Sequence, residues 1–395
     1  MKKTIQAYLD NINNKKNNYD YVVIYGAGRK AISLYRYLKD IVKINAFVVT
    51  NKDENKEHEC GIPIYGINEI SFPSQNTLIL IGVRQRWNQD VIRKLIDFGY
   101  TSYIEAPEGI EYLGVKDADR SKRSVLQLTL QIGCAINCKY CPQSLFINQY
   151  KKNAERENRM DYDLFVRYLE NIEREVILEF AGFSEPFLNK DCVRMLEYAH
   201  HRGHEIELFT TLQGLHKGEL KRVLNIPYRE VVLHIPDEEN NSKIDVNEDY
   251  LYILERLINA RKVNGDSFVD WGSCHGEPSS KVNKIVGKNL RLLTQLHDRA
   301  GNLDFNELER KRDIKGKIQC SGTLNFDHNV LLPDGTVLLC DSDWGMRHPI
   351  GNLKNQTYQE IITGSAVSEI KEKMIDEKKG DLLCRSCCYA VACKD

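Results

Sequence analysis

The apolar residues of this chain follow two successive rhythms. Tyr21-Val-Val-Ile-Tyr25 is a short β-rich run that ends at Gly26-Ala27-Gly28, and a helical pattern marked by Leu34, Tyr35 and Leu38 follows it. Further strands at Ala46 to Val49 and Leu78 to Gly82, with a helix at Gln89 to Phe98, predict a small α/β domain ending near Ile104. The charged segment from Pro107 to Ser124 carries two glycines and a proline and reads as a linker. From Val125 onward, strand-like runs alternate with helical patterns. The strands are expected at Val125 to Ile132, Val176 to Phe180, Ile206 to Thr211, Glu230 to Ile235 and Phe268 to Trp271. Helices are expected at Tyr162 to Arg174, Cys192 to His201 and Tyr250 to Val263. Such alternation builds parallel βα units that close into a full or partial barrel, with reactive groups at the C-terminal ends of its strands. The remainder, about Lys315 to Asp395, is cysteine-rich and reads as a separate metal-stabilised module.

The 395 residues exceed what one core usually organises, and the apolar fraction of 42% is ample for several. A net charge of -1 provides no global field for nucleic acid or anionic membranes. The longest strongly apolar stretch, Thr77 to Val83, is far short of the roughly 20 residues of a membrane helix. Met1-Lys2-Lys3 leads to Asp10 and an Asn-rich segment rather than an apolar signal core, so a cytoplasmic location is expected. In that compartment twelve cysteines are awkward as disulfides, which points to metal ligation. Three fall within eight residues, Cys134 to Cys141, and four within ten, Cys384 to Cys393. Cys60 and Cys192 stand alone and read as small buried hydrophobes.

Cys134-Ala-Ile-Asn-Cys138-Lys-Tyr-Cys141 directly follows the first expected barrel strand. Three thiolates can hold a four-iron cluster that normally takes four, leaving one iron open. A zinc knuckle is the rival reading of cysteines at short spacing. The spacing, with aromatic Tyr140 before the last cysteine, resembles the signature of the radical S-adenosylmethionine (SAM) superfamily. That resemblance implies a [4Fe-4S] cluster on Cys134, Cys138 and Cys141, and SAM chelated to its open iron. It also implies reductive cleavage to a 5'-deoxyadenosyl radical, with an external one-electron reductant such as flavodoxin or ferredoxin. Ala181-Gly182-Phe183-Ser184-Glu185-Pro186, after the second strand, resembles the family's Gly-Glu-Pro variant of the motif for the SAM amino group, with Ser184 replacing the commoner glycine. There Gly182 permits close backbone approach and Glu185 accepts the ammonium. Thr210-Thr211-Leu212-Gln213-Gly214 resembles the family's Thr-Asn-Gly segment without its asparagine.

Cys320, then Gly335 and Cys340, later Cys384-x2-Cys387 and Cys393 resemble the auxiliary-cluster domain called SPASM, or its truncated relative, twitch. The resemblance implies one auxiliary [4Fe-4S] cluster on Cys320, Cys340, Cys384 and Cys387, with Cys393 the rival ligand and Cys388 a bystander. Leu332-Pro333-Asp334-Gly335-Thr336 is a natural hairpin turn returning Cys340 toward Cys320. Such a cluster either staples a small domain or accepts an electron.

Gly26-x-Gly28-x-x-Ala31 fits a dinucleotide fingerprint, but Val49-Thr50-Asn51 supplies no acidic residue after the second strand, which disfavours NAD. The block from Val22 through Cys60-Gly61-Ile62-Pro63-Ile64-Tyr65 to Leu78-Ile79-Leu80-Ile81 resembles the small Rossmann-like domain of sialic-acid-type sugar O-acetyltransferases. Gly26 and Gly28 would then meet a substrate phosphate; a vestigial or assembly role is the alternative. The expected fold class is therefore α/β: a Rossmann-like domain over residues 1–115, a partial (β/α)6 TIM barrel over 124–312 and a twitch/SPASM module over 315–395.

At the expected barrel rim, His234 and Asp237 after the fourth strand and His275 after the fifth are candidates to orient hydroxyls or take a proton. Cys274 is a candidate hydrogen-atom donor, or else an inert buried thiol. Cys340-Asp341-Ser342-Asp343-Trp344 is a third candidate patch. The resulting expectation is a dehydrogenase or epimerase acting on a sugar or polyol, nucleotide- or phosphate-linked, in surface-glycan biosynthesis. The rivals are a ribosomal-peptide-modifying enzyme and a zinc-stabilised binding protein.

Overall fold

A computed structural model of the chain describes residues 2–39, 41–52, 55, 57–83, 88–107, 123–263, 265–287, 290, 292–293, 296–303, 313–320, 322–323 and 326–393. It forms two compact units, Met1–Lys122 and Arg123–Asp395. The linker expected between Pro107 and Ser124 falls almost wholly outside the described residues.

In the first unit, strands β1 (Tyr21–Tyr25), β2 (Ala46–Val49), β3 (His58–Glu59), β4 (Ile62–Gly66), β5 (Thr77–Ile81) and β6 (Tyr103–Glu105) form one sheet in the order β3-β4-β2-β1-β5-β6. All pairings are parallel except β3 with β4. β1 is apolar throughout because both faces of the sheet are covered. Val22 and Ile24 pack with Leu34 and Leu38 of helix α2 (Arg29–Leu38), after helix α1 (Lys2–Lys15) has contributed Tyr8 and Ile12 to the same core. Val23 and Tyr25 pack on the other side with Val91 and Leu95 of helix α3 (Asn88–Asp97). The chain leaves β1 toward β2 and β4, then crosses to β5, so the strand order reverses beside β1. Gly26 lies there, with a φ of 110° and its N–H bonded to the Val48 carbonyl at 2.7 Å.

In the second unit, strands β7 (Val125–Leu128), β8 (Ile177–Phe180), β9 (Ile206–Thr210), β10 (Glu230–His234), β11 (Trp271–Ser273) and β12 (Leu292–Leu293) are parallel neighbours in chain order, the partial barrel. Leu126, Leu128, Leu178 and Phe180 face the helix layer, together with Leu164 and Phe165 of α5 (Tyr162–Leu169), Val193 and Leu196 of α6 (Cys192–His201) and Leu254 of α8 (Glu248–Asn259). Asp161 and Asn247 cap two of these helices by accepting from Leu164 N–H and Tyr250 N–H. The shorter helices α7 (Leu220–Leu224) and α9 (Ser280–Val286) complete the layer, whereas α4 (Gln143–Tyr150) packs Phe146 and Tyr150 in a separate cluster with Phe183 and Trp344.

The C-terminal part is continuous with the barrel. Following β13 (Ile318–Cys320), strand β14 (His328–Leu331) pairs in parallel with β7, and β15 (Thr336–Leu338) and β16 (Pro349–Asn352) extend the sheet antiparallel. Gly335, with a φ of 84°, turns the β14-β15 hairpin. Helices α10 (Tyr358–Ile362) and α11 (Ser365–Ile375) precede the cysteine-rich end, where β17 (Ala390–Ala392) pairs antiparallel with β13.

Several expectations are corrected: the first barrel strand ends at Leu128 rather than Ile132, the helix from Tyr162 ends at Leu169 rather than Arg174, and Cys60 is exposed rather than buried. The fifth strand begins at Trp271 rather than Phe268, because the Asp270 side chain accepts from Val231 N–H and Lys262 Nζ and takes the place of a ladder partner. The helix expected to reach Val263 stops at Asn259, and Val263 is fully exposed. Among the described residues no helix is long and apolar enough to cross a membrane.

On the inner face, strand register sets Gln127 opposite Glu179, Glu179 opposite Glu207 and Glu207 opposite Glu230. Gln127 Nε2 donates to Glu179 Oε1 at 2.7 Å, and Arg229 Nε donates to Glu207 Oε1 at 3.1 Å. His328 Nε2 lies 3.4 Å from Glu179 Oε2. Burial opposes a charged imidazole there, yet the hydrogen bond and charge of Glu179 outweigh it and raise the His328 pKa to about 9. A folded-state pKa above the unfolded value of about 6.5 gives stability that is full below that pH and is lost as pH rises through the folded value. The thermal-midpoint difference between wild type and His328→Gln, measured anaerobically across pH, is therefore expected to be constant below about 6.5 and to shrink toward zero above about 9. A difference that grows with pH would refute the pairing.

Candidate functional site

The C-terminal end of β7 passes through Gly133, whose φ is 89°, into the loop that carries Cys134, Cys138 and Cys141. Asn137 takes a φ of 44°, while its N–H bonds the Cys134 carbonyl and Cys141 N–H bonds the Cys138 carbonyl, so two tight turns gather the thiols. The loop after β10 straps across them: Lys139 N–H donates to the Asn241 carbonyl and Lys243 N–H to the Ile136 carbonyl, both at 2.8 Å. The Cys138 thiol donates to Cys141, which pushes Cys138 up and holds Cys141 down; Arg299 also lowers Cys141. Burial raises Cys134.

The loops after β8 and β9 lock against this one. Gly182 has a φ of 69°, and a Cβ there would lie 2.4 Å from Thr129 Oγ1. Phe183 N–H donates to that same hydroxyl at 3.1 Å, and Gln143 Nε2 donates to the Phe183 carbonyl at 2.6 Å. Glu185 is buried with both oxygens engaged. Oε1 accepts from Thr210 Oγ1 at 2.6 Å and Phe187 N–H at 3.2 Å; Oε2 accepts from Thr211 N–H and Thr211 Oγ1, each at 2.6 Å. Burial raises the Glu185 pKa, and those donors from Thr210, Thr211 and Phe187 pull against it. An ionised carboxylate has about four acceptor sites, and all are taken. In this arrangement Glu185 fastens the loop after β8 to the end of β9. Gly214, with a φ of 92°, closes the third loop where a Cβ would sit 2.3 Å from the Phe187 carbonyl oxygen.

Tyr140 is buried and meets the His275 ring edge-on, with centroids 4.4 Å apart. His234 Nδ1 and Ser273 Oγ are 2.5 Å apart. Burial, then His275 and Arg299, push the His234 pKa down to about 4, so its imidazole is neutral at pH 7. Asp237 Oδ1 accepts from Asn241 N–H at 3.0 Å and caps its turn. Cys274, just past β11, is buried in the same core cluster as Tyr250 and Leu254 of α8. Its thiol donates to the Gly276 carbonyl at 3.2 Å, and burial raises its pKa to about 11.

The other cysteines meet at the C-terminal end. Cys320 ends β13, Cys340 follows β15, and Cys384 and Cys387 lie on one turn closed by Cys387 N–H to the Cys384 carbonyl at 3.1 Å. Burial and then Cys320 raise Cys384; burial, then Asp341 and Cys384, raise Cys340; a hydrogen bond with Cys388, then burial, raise Cys387, with Cys340 a smaller contributor, so these thiols share one neighbourhood with Cys388. Cys393 N–H bonds the Lys317 carbonyl at 2.8 Å. Antiparallel register sets Ala390 opposite Cys320, so Cys393 lies three residues farther along, about 10 Å at strand spacing. Cys388 is no isolated bystander: Asp298, Cys387 and Cys388 offer ligand atoms within 4.8 Å of one another. Burial and then Cys388 raise the Asp298 pKa to about 6. In the first unit, Gly26 and Gly28 stand where β1 gives way to α2, with Gly28 as its N-cap.

Sequence reading did not single out Arg299, Gln143, Thr129 or His328, because none belongs to a spaced motif. Trp344, named only as part of a patch, has its ring centroid 4.3 Å from that of Phe183 and joins the C-terminal part to the β8 loop. The donor sets suit iron-sulfur clusters: three convergent thiols at one end of β7, four more at the module. Ser184 Oγ, Gln143 Oε1 and Trp344 Nε1 are buried without partners around the first set, which suits a polar ligand held there.

Residues 320–388 match the SPASM family, described as an iron-sulfur cluster-binding domain. A probable dual-specificity RNA methyltransferase RlmN of Leptospira biflexa is 30% identical over 90 residues, covering 23% of this chain. The chain thus spans about a quarter of that relative's length, 24%. The crystal structure of BtrN in complex with AdoMet and 2-DOIA matches 67% of this chain and 93% of its own at 17% identity, with a TM-score of 0.44. That of Streptococcus suis SuiB bound to precursor peptide SuiA matches 76% and 83% at 13% identity, with a TM-score of 0.40. Residues 320–388 thus form an iron-sulfur cluster-binding domain of the SPASM family, on the same sheet as the barrel strand that leads into the Cys134-Cys138-Cys141 loop.

Proposed function

We propose that this protein is a radical SAM dehydrogenase that oxidises a secondary alcohol of a sugar or polyol, phosphate- or nucleotide-linked. The observation that carries the reading is the presence of two thiol sets linked by one continuous sheet, with neutral His234 beside Ser273, His275 and Arg299 at the barrel's C-terminal end. Cys134, Cys138 and Cys141 would hold the cluster that binds SAM, and Cys320, Cys340, Cys384 and Cys387 the auxiliary one. When bound, the first cluster with SAM supplies a 5'-deoxyadenosyl radical that removes a carbon-bound hydrogen, and the second supplies a one-electron acceptor.

The chain's own residues do the rest. Thr129, Gln143 and Gly182 fix the backbone of the Phe183 loop, while Glu185 fastens it to Thr210 and Thr211. Tyr140 and His275 wall the cluster loop. His234 is unprotonated at neutral pH and available to take the hydroxyl proton, so that alcohol oxidation releases one hydrogen atom, one proton and one electron. The burial of Cys274 in the core favours oxidation over epimerisation. The N-terminal resemblance to sugar-modifying enzymes favours a sugar over the rival peptide substrate, and the Gly26 turn favours a phosphate.

Anaerobically prepared protein is expected to be brown and to hold about eight irons per chain, counted by colorimetric assay. Stoichiometric zinc in a colourless protein would sink the reading. Replacing Cys134, Cys138 and Cys141 together by alanine is expected to abolish 5'-deoxyadenosine formation, followed by chromatography, and unchanged formation would exclude the site. Gly182→Ala forces a Cβ toward Thr129 at a left-handed φ and is expected to cost about 1–3 kcal/mol in thermal unfolding and to weaken SAM binding, while iron content persists. Mass spectrometry of turnover product is expected to register the loss of two hydrogens; unchanged mass with solvent deuterium incorporated would mean epimerisation instead.

A further inference from the structure

Between the two thiol sets lies a turn that no motif marks. Arg299, Ala300 and Gly301 take φ values of 49°, 54° and 75°, three consecutive left-handed residues of which two are not glycine. Such backbone persists only where surrounding structure over-determines it, and it concentrates at functional sites. Here Asp298 Oδ1 accepts from Ala300 N–H at 3.0 Å and from Cys388 N–H at 3.2 Å, and Leu303 N–H bonds the Asp298 carbonyl. The turn is thereby fastened to the C-terminal cysteine module.

Its effect is to deliver one guanidinium to the space between the sites. Arg299 Nη1 lies 3.5 Å from Asp341 Oδ2. Its charge is felt by Cys141 and His234 on the barrel side, and by Asp341, Tyr389 and Cys388 on the other. Arg299 Nε is buried and has no hydrogen-bond partner. A buried donor left unmet in this way calls for an acceptor, and the Nε edge of a guanidinium is a planar donor pair that matches two oxygens of a phosphate or carboxylate.

We propose that Arg299 is a substrate-binding residue whose Nε edge holds an anionic two-oxygen group of the substrate between the SAM-binding loop and the auxiliary module. This rests on the reading that the substrate is a small molecule acted on at the barrel's C-terminal end. The left-handed turn presents the guanidinium, and Asp341 fixes its opposite edge. A lysine would keep the charge but lose the paired donors.

The test uses anaerobic holoenzyme with both clusters and SAM. Binding of glucose 1-phosphate, glucuronate and glucose is measured by calorimetry for wild type, Arg299→Gln and Arg299→Lys. Wild type is expected to bind one or both anionic probes more tightly than glucose, the preferred probe telling phosphate from carboxylate. Arg299→Gln is expected to weaken that probe by about tenfold or more, as loss of charged hydrogen bonds implies, and Arg299→Lys to recover part of it. Iron content and the SAM-induced change in the electron paramagnetic resonance of the reduced cluster should be unaltered in both variants. Equal probe affinity in Arg299→Gln, a wild type that binds neither anion, or loss of iron or of the SAM response overturns the assignment. Failure of the dehydrogenase reading is separate: it would register in product mass, with the Arg299 dependence of probe binding intact.

Discussion

The site depends on one buried carboxylate. Glu185 sits at the C-terminal end of β8 with four donors on its two oxygens, and three of them come from the next strand's end, Thr210 and Thr211. An ion buried without such donors would neutralise instead, and burial does push its pKa upward. Hydrogen bonds to the charged form work the other way, so the carboxylate and the threonines stabilise each other's geometry. With β8 and β9 loops joined there, and Gly182 pressed on Thr129 of the first, three loops behave as one rim. The cysteine loop is the first of these three.

The barrel's two faces divide the labour. Its outer face is an ordinary apolar seam with α5, α6 and α8, whereas its inner face carries Gln127, Glu179, Glu207 and Glu230 at one level of register. Buried charges of one sign need partners, and they come from two directions: Arg229 within the barrel, and His328 from the strand that begins the C-terminal sheet extension. β14 therefore both extends the barrel sheet beside β7 and delivers a counter-charge to its interior.

The same extension joins the two cysteine sets through one continuous sheet. The β14-β15 hairpin carries Cys340 back along the sheet, and Trp344 then packs on Phe183 within a cluster that also includes Phe146 and Val330. Apolar packing thus fixes the distance between the module and the loop that carries Cys134, Cys138 and Cys141. The polar turn at Asp298 and Arg299 spans what the packing leaves open.

Sequence by itself determined the features that are local. Tyr21–Tyr25, Ala46–Val49 and Cys192–His201 form the expected elements at the expected bounds, because an apolar run or a 3.6-residue stripe is decided by neighbours in the chain. The spacing of Cys134, Cys138 and Cys141 was equally legible, since a loop of eight residues must keep its thiols close. Tertiary structure decided what depends on residues far apart: that Cys274 is buried in the core, that Glu185 is saturated by threonines about 25 residues on, that His328 and Glu179 pair, and that Arg299 stands between the two thiol sets. Side-chain partners across a sheet follow from strand order and register, and these are set by which surfaces bury together, a property that no stretch of sequence carries alone.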